Sequence, residues 1–390
     1  MAILLFLLAA TPLTLQDALG RAERANPDLV AARLSVRVAE AGVEAAGQLP
    51  NPTVQGSYGP DEPTLFGGID LKLPIFGQRG TAVAAAEREV TVSQAEALSR
   101  ALHIHSEVRR AYFALAAAQA QVALAGEAQR LAEELARLAG KKYETGGAPL
   151  IEVTQAQLQA KLSAQEALDR AALVVNAQQA LNVLIGEEPD AEPRADDPLL
   201  PVPGVPALQE LLARVANHPE VQLARGQRDA ALARAQRERA SVRPVPDVSL
   251  TLQRNLNSDG TPYLGLRYGL AFDLPILSWN TGHVHEQTAQ ASVADAQAQA
   301  AAKRLSGEVR AARTRWEAAG SRARFYAQEF LPAAQRLLEM ARQGYELGRT
   351  PLLSVLQAQG EVAQARGRSV DAGQEAQRAY ADVEEAAGGL

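Results

Sequence analysis

The sequence predicts a mainly α, internally duplicated chain whose long coiled-coil helices carry a small set of membrane-type β-strands. Three patterns predict it: the distribution of alanine, a repeat at an offset of 202 residues, and two islands of period-two alternation. Alanine makes up about a fifth of the 390 residues, and it loses no side-chain entropy in a helix. It is missing from Gly47 to Thr81 and again from Ser241 to Leu270. Two non-helical islands therefore interrupt a helical chain. The net charge of −6 and the absence of cysteine exclude other classes. Without cysteine there is no disulfide framework, thiolate metal site, catalytic thiol or lipidated N-terminal cysteine. Basic residues interspersed with acidic ones do not make a nucleic-acid face, so no DNA or RNA partner is expected.

At the amino terminus, Ile3 to Ala10 (ILLFLLAA) is a short apolar run followed by Thr11 and Pro12. It reads as the core of a secretory signal peptide over residues 1–11, with cleavage near Ala10. No other stretch approaches the length that a transmembrane helix needs.

The duplication organises the rest. Tyr143 to Gln157 (YETGGAPLIEVTQAQ) matches Tyr345 to Gln359 (YELGRTPLLSVLQAQ) at nine of fifteen positions. Leu15 to Leu29 (LQDALGRAERANPDL) answers Leu208 to Val221 (LQELLARVANHPEV), and Leu73-Pro74-Ile75 answers Leu274-Pro275-Ile276. Each half, 12–186 and 207–390, runs in one order: short helix, island, long helix, turn, second long helix. Between them, residues 187–206 belong to a proline-rich, acidic stretch that forbids a helix and is expected to cross the surface in extended form. Each half alone offers only two strands and a few helices, so one intertwined unit is expected.

In the second island Leu264, Leu266, Tyr268, Leu270, Phe272 and Leu274 alternate with Gly265, Arg267, Gly269, Ala271 and Asp273. Val248, Leu250 and Leu252 do the same across a turn-rich stretch from Asn255 to Pro262, which makes a hairpin over about 247–276. The first island, about 53–76, repeats the scheme with Leu65, Ile69, Leu71 and Leu73 after a weaker strand at Thr53 to Tyr58. Strands of this length with alternating faces suit a tilted bilayer crossing, with Phe76, Tyr263 and Trp279 at the level of the lipid headgroups. Four strands cannot close a membrane barrel, so the membrane reading forces oligomerisation. Two chains supply eight strands and three supply twelve.

From Gly80 to Lys142 there is no proline, and a helix of about sixty residues follows, too long for a compact domain. Val83, Val90, Ala97, Ile104, Ala111, Ala118, Ala125, Ala132 and Ala139 recur every seven residues, which indicates coiled-coil packing with small residues along the seam. The second-half helix runs from about Gly282 to Tyr345, with a bend near Pro332. Both end at the duplicated turn, where Gly146 or Gly348 takes the left-handed conformation and Pro149 or Pro351 opens the next helix.

With these parts assembled, the chain resembles the TolC-type family of outer membrane efflux proteins over nearly its whole length. The resemblance rests on Asn26-Pro27-Asp28-Leu29, on the Leu-Pro-Ile strand exits, and on the turns ending Val153-Thr154-Gln155-Ala156-Gln157 and Val355-Leu356-Gln357-Ala358-Gln359. It implies a homotrimer whose strands close a twelve-stranded barrel in the outer membrane, with the helices continuing as a hollow α-barrel across the periplasm. It also implies a passive exit duct that docks a periplasmic adaptor and works with an inner-membrane transporter. The implied docking tips are Gly146, Gly147, Pro149 and Leu150 with Gly348, Arg349, Pro351 and Leu352. Glu152 matches the family's acidic constriction, but its counterpart here is Ser354. Leu73 to Gly80 (LPIFGQRG) looks most like the heavy-metal-efflux branch. The alternative is a periplasmic coiled-coil adaptor or scaffold, although adaptors carry one helical hairpin and this chain carries two.

The remaining motifs carry no chemistry. His103 with His105 and His283 with His285 are His-x-His pairs on helices, where side chains two apart diverge by about 200° and chelate poorly; interhelical hydrogen bonding is the expected use. No nucleotide, hydrolase or zinc-protease fingerprint is present. No enzyme, cofactor or metal site is expected.

Overall fold

The computed structural model describes residues 11–59 and 65–390. In chain order the elements are β1 (Thr11–Leu13), α1 (Leu15–Ala25), α2 (Pro27–Gly47), β2 (Thr53–Tyr58), β3 (Leu65–Lys72), α3 (Gln78–Glu144), α4 (Leu150–Ile185) and β4 (Pro193–Ala195). The second half gives α5 (Leu208–Arg214), α6 (Pro219–Ser241), β5 (Pro246–Leu256), β6 (Pro262–Phe272), α7 (Thr281–Phe325), α8 (Leu331–Glu346) and α9 (Leu352–Ala387). The expected signal segment falls on residues 1–10, outside the described residues, and on Thr11, which already belongs to β1. The chain forms two compact units, and each draws on both sequence repeats. One comprises the chain up to Ala31, Arg100–His218 and Lys303–Leu390; the other comprises Ala32–Ser99 and Pro219–Ala302. The helices α2, α3 and α7 contribute to both.

In the first unit a buried cluster joins α1, α3 and α4 through Ala18, Ala22, Ile104, Val108, Tyr112, Leu115, Leu181 and Ile185. The polar centre of this cluster is the Tyr112 hydroxyl. It lies 2.8 Å from the Leu13 carbonyl and 2.8 Å from Asp197 Oδ2, and it accepts from the Asp196 and Asp197 backbone N–H groups. Asp197 Oδ2 also accepts from the Leu15 N–H at 2.6 Å. One phenol thus ties the start of the chain and the inter-repeat segment to the long helix. Burial, with Asp197 beside it, pushes the Tyr112 hydroxyl above the ordinary tyrosine range.

The inter-repeat segment is extended, as its prolines require, but it is a strap rather than a loose crossing. Its β4 pairs in parallel with β1, the Leu199 carbonyl accepts from Gln377 Nε2 at 2.8 Å, and Leu200 and Val202 pack on the alanine cluster of α7 and α9. The Asn26-Pro27 motif has an equally specific role. Asn26 is buried, its Oδ1 caps α2 by accepting from the Asp28 and Leu29 N–H groups, and its Nδ2 donates to the Leu184 carbonyl. Gly186 then ends α4 in the left-handed region, where any Cβ would lie 2.5 Å from the Ala25 carbonyl oxygen. In the second repeat His218 replaces Asn26, and its Nε2 bonds to the Glu385 carbonyl at 3.0 Å.

An ionic belt joins α3 to α9. Arg110 bonds Asp382 and Glu385, Arg315 bonds Asp382 at 3.0 Å, and His103 Nδ1 meets Glu385 Oε1 at 2.8 Å. Burial opposes ionisation of Glu385, but its bonds to His103 and Arg110 hold it below the ordinary carboxylate range. His105 turns to Glu23 at 3.3 Å, so the two histidines serve different neighbours. The heptad residues of α3 are all buried or half-buried. The expected bend of the second long helix is a π-helical turn at Tyr326–Phe330, just ahead of Pro332. Proline lacks an N–H and crowds the carbonyl four residues back, and a wider turn relieves both.

The second unit holds an antiparallel sheet in the order β2-β3-β5-β6 and the helical segments beneath it. Those helices are held by Arg234 with Glu89 and by Arg228 with Asp295. Gly226 of α6 faces Val92 of α3, where an added Cβ would make ordinary contact at 3.5 Å.

Replacing Tyr112 by Phe strands several buried backbone partners, and the expected loss is about 2 kcal/mol of stability, read as a lower thermal midpoint of the detergent-extracted protein. The neutral phenol is the form the fold binds, so its contribution is intact below about pH 10 and declines as the unfolded tyrosine ionises above it. The fall in midpoint above pH 10 is therefore shallower in Tyr112→Phe, with Tyr345 and Tyr380, raised in the same direction, supplying the rest.

Candidate functional site

Two surfaces stand out, the sheet and the helical tips. Pairing is in register across all four strands: Val54 opposite Ile69, Ile69 opposite Leu250, and Leu250 opposite Tyr268. The adjoining rows bring Gly56, Gly67, Leu252 and Leu266 together, then Leu71, Val248 and Leu270, then Tyr58, Leu65, Arg254 and Leu264. Side chains alternate across a strand. Every residue of these rows therefore shares one face, which is apolar except for Arg254 near the turn end. That face is exposed, reaching 86% at Tyr268. The opposite face carries Gln55, Asp70, Lys72, Ser249, Thr251, Gln253 and Arg267, with Gln55 Nε2 donating to Asp70. Eleven residues in each of β5 and β6 span about 36 Å, or about 25 Å when tilted by 45°, the height of a membrane barrel's apolar band. Among the described residues no helix is long and apolar enough to cross a membrane.

The strand-end aromatics divide. Phe76 and Trp279 are exposed beyond the strands. Tyr263 is corrected: it pairs with Asn255, bonds its amide at 3.4 Å, and lies over Gly265 on the polar face. It is one position out of phase with Leu264, so its ring belongs to the polar side. Tyr58, Tyr268 and Phe272 are the aromatics of the apolar face. Leu274, expected within the strand, follows its end at Phe272.

The two tips lie in the first unit and pack on each other. Gly146 (φ 73°) and Gly348 (φ 70°) take the left-handed conformation that the turn needs. Behind them Leu135, Ala139, Val153, Ala156, Ala341, Leu352, Val355 and Ala358 form a core with Tyr345. Lys142 Nζ donates to the Tyr345 carbonyl at 2.9 Å and sits 3.7 Å above its ring, and the Tyr345 hydroxyl reaches Glu152 Oε2 at 3.4 Å. Burial, then the Glu152 charge, raises the Tyr345 hydroxyl above the usual range.

The matched sequences hide unequal surroundings. Leu150 is 58% exposed, whereas Leu352, at the corresponding position, is fully buried. Leu352 is thus corrected from a surface contact to a core residue, because it packs with Val355 and Tyr345 in the core that the two hairpins share. Gly146, Gly147, Pro149, Gly348, Arg349 and Pro351 are exposed, and Leu347, Leu353 and Ile151 join them. Sequence reasoning missed the Lys142–Tyr345 pair, whose partners stand in different repeats.

Such a chain, with a membrane-height sheet and long paired helices, is a membrane duct protein rather than a soluble domain. A family description, Outer membrane efflux protein, matches residues 18–187 and 209–389. The chain belongs to that family. It is 28% identical over 363 residues to the cobalt-zinc-cadmium resistance protein CzcC of Cupriavidus metallidurans, covering 92% of this chain and 86% of that one. Its fold matches VceC of Vibrio cholerae (TM-score 0.75, 20% identity, 96% of both chains) and CusC (0.76, 19%, 96% and 92%). It also matches the open state of MtrE of Neisseria gonorrhoeae (0.76, 18%, 96% and 89%). The protein is an exit duct of the outer membrane, with its helical part in the periplasm, and not an adaptor.

Lys142→Met removes the cation over Tyr345 and its hydrogen bond across the hairpins. Amide exchange at residues 340–356 is expected to quicken by about tenfold, with the global thermal midpoint little changed; unaltered exchange there counts against the pairing.

Proposed function

We propose that three copies of this chain close one duct, each giving four strands to a twelve-stranded barrel and two hairpins to a hollow α-barrel. The observation that carries this reading is the sheet: an exposed apolar face, with β2 and β6 left as unpaired edges among the described residues. Open edges are not tolerated in lipid. The helical unit supports it. Arg366 with Glu127 and Gln121 with Asp371 join α3 to α9, leaving exposed apolar residues Leu158, Leu162 and Leu168 on α4 and Phe325, Leu337 and Met340 on α7 and α8. Unlike surfaces meeting head to tail close a ring.

The duct docks a periplasmic adaptor through Gly146, Gly147, Pro149, Leu150, Gly348, Arg349 and Pro351, with Leu347 and Leu353 in place of Leu352. An inner-membrane transporter drives the cargo, and the duct performs no chemistry. The CzcC likeness and Leu73 to Gly80 favour service to a metal-efflux pump. Glu152, bonded to Tyr345, joins the hairpins of one chain rather than forming a free acidic constriction. The apolar run ending near Ala10 serves as a secretory signal cleaved ahead of Thr11 of β1, and 187–206 joins structural repeats 12–186 and 207–390.

Light scattering on the unboiled, detergent-extracted protein is expected to give three chains, collapsing to one on heating; a detergent-free monomer contradicts the reading. Leu150→Asp combined with Leu353→Asp is expected to keep that mass while abolishing co-purification of the cognate adaptor and the efflux it supports.

A further inference from the structure

The first unit holds a cavity of about 350 Å³ between its two helical hairpins, walled by α3, α4, α8 and α9. Small residues open it. Ala125 and Ala128 of α3 and Ala363 and Gly367 of α9 line it, and at Gly367 an added Cβ would meet nothing within 4 Å. Leu124, Leu131, Leu338 and Val362 give it apolar walls.

Six ionised side chains line the same space, three of each sign: Glu127, Glu166 and Asp371 against Arg170, Arg342 and Arg366. They are engaged with neighbours. Arg366 bonds Glu127, Arg170 donates to Glu166 at 3.3 Å and to Gln121 Oε1 at 2.6 Å, and Gln121 Nε2 donates to Asp371 at 2.6 Å. Arg342 faces Glu134 at 3.9 Å. The lining is therefore neutral in sum, and an ion entering it has to break bonds already made.

Gln359 is the exception. It lines the cavity from α9, is only 7% exposed, and its Oε1 is buried without a hydrogen-bond partner among the described residues. Its counterpart in the first repeat, Gln157, is exposed, so the duplicated motif does not itself require a buried amide. A buried acceptor left without a donor is costly and uncommon. A ligand that donates to it removes that cost.

We propose that this cavity is a binding site for a small neutral molecule carrying a carboxamide on an apolar, ring-sized body. The carboxamide donates an N–H to Gln359 Oε1 and accepts from Gln359 Nε2, a two-point match that neither an ammonium nor a carboxylate can make. The apolar body packs against Leu124, Leu131, Leu338 and Val362. The volume stands at the lower end of the range of about 300–1,000 Å³ for small-molecule sites, and it is too small for an α-helix, which is about 10 Å across. A molecule bound there bridges the α3–α4 and α8–α9 hairpins of one chain, so the site does not depend on how copies assemble.

The probe is para-fluorobenzamide, followed by its fluorine NMR linewidth with the detergent-extracted full chain and, as the baseline, with protein-free micelles. Saturable broadening with a Kd of about 1 mM is expected. Gln359→Leu, which keeps the side chain's bulk and removes the amide, is expected to weaken binding by about tenfold, and Gly367→Leu, which fills the cavity, to abolish it. The same ring carrying a charge of either sign, para-fluorobenzoate or para-fluorobenzylamine, is expected to bind about tenfold more weakly or worse. The two substitutions act by different routes, so if one variant fails to fold the other decides. Binding that neither substitution changes, or that the charged analogues match, overturns the site, as does the absence of saturable broadening up to about 10 mM. None of these outcomes bears on the duct, whose mass is read separately.

Discussion

A four-stranded sheet with one apolar, exposed face and two unpaired edges cannot stand by itself in either solvent. In water its apolar face is a docking or aggregation surface, and in lipid each unpaired edge group costs several kcal/mol. The rest of the molecule follows from resolving both at once. In the trimer proposed above, lipid takes the apolar face, neighbouring copies take the edges, and the polar face with Asp70, Thr251 and Arg267 lines a water-filled lumen. The duplication makes this economical, because each repeat contributes one hairpin of strands and a pair of long helices.

The helical unit meets a different demand. Alanine-rich helices approach closely but bury little surface per residue, so packing alone specifies register weakly. Directional contacts supply what alanine lacks. The Tyr112 hydroxyl gathers the first strand and the inter-repeat strap, Asn26 and His218 mark the same junction in the two repeats, and the Arg110 belt fixes α9 against α3. The small residues bring the helices together, and the polar groups set where along their length they meet.

Much of this was legible in the sequence because it is written in local periods. Alternation at Leu264 to Phe272 and seven-residue spacing along α3 are properties of one element at a time, and Pro332 announces its own irregularity. What stayed hidden depends on neighbours distant in sequence. Leu150 and Leu352 are the same residue in the same motif, and only the packing of one hairpin on the other buries the second. Prolines between 187 and 206 exclude a helix but do not say that Leu199 and Asp197 are strapped down. Tyr263 shows a local signal misread: its place at a strand end suggested the headgroup level, whereas its phase against Leu264 puts it on the polar face.

The claim that the sheet is completed by other copies is tested most directly on its edges, and the absence of native cysteine makes the experiment clean. A set of double variants would carry one cysteine at Val54, Gly56 or Tyr58 in β2 and one at Leu264, Leu266, Tyr268 or Leu270 in β6. Each would be oxidised in the outer membrane and resolved on a denaturing gel. The account predicts, for the pairs in register, a covalent ladder that stops at three chains. A ladder ending at two, or bridges formed only within one chain, would contradict it.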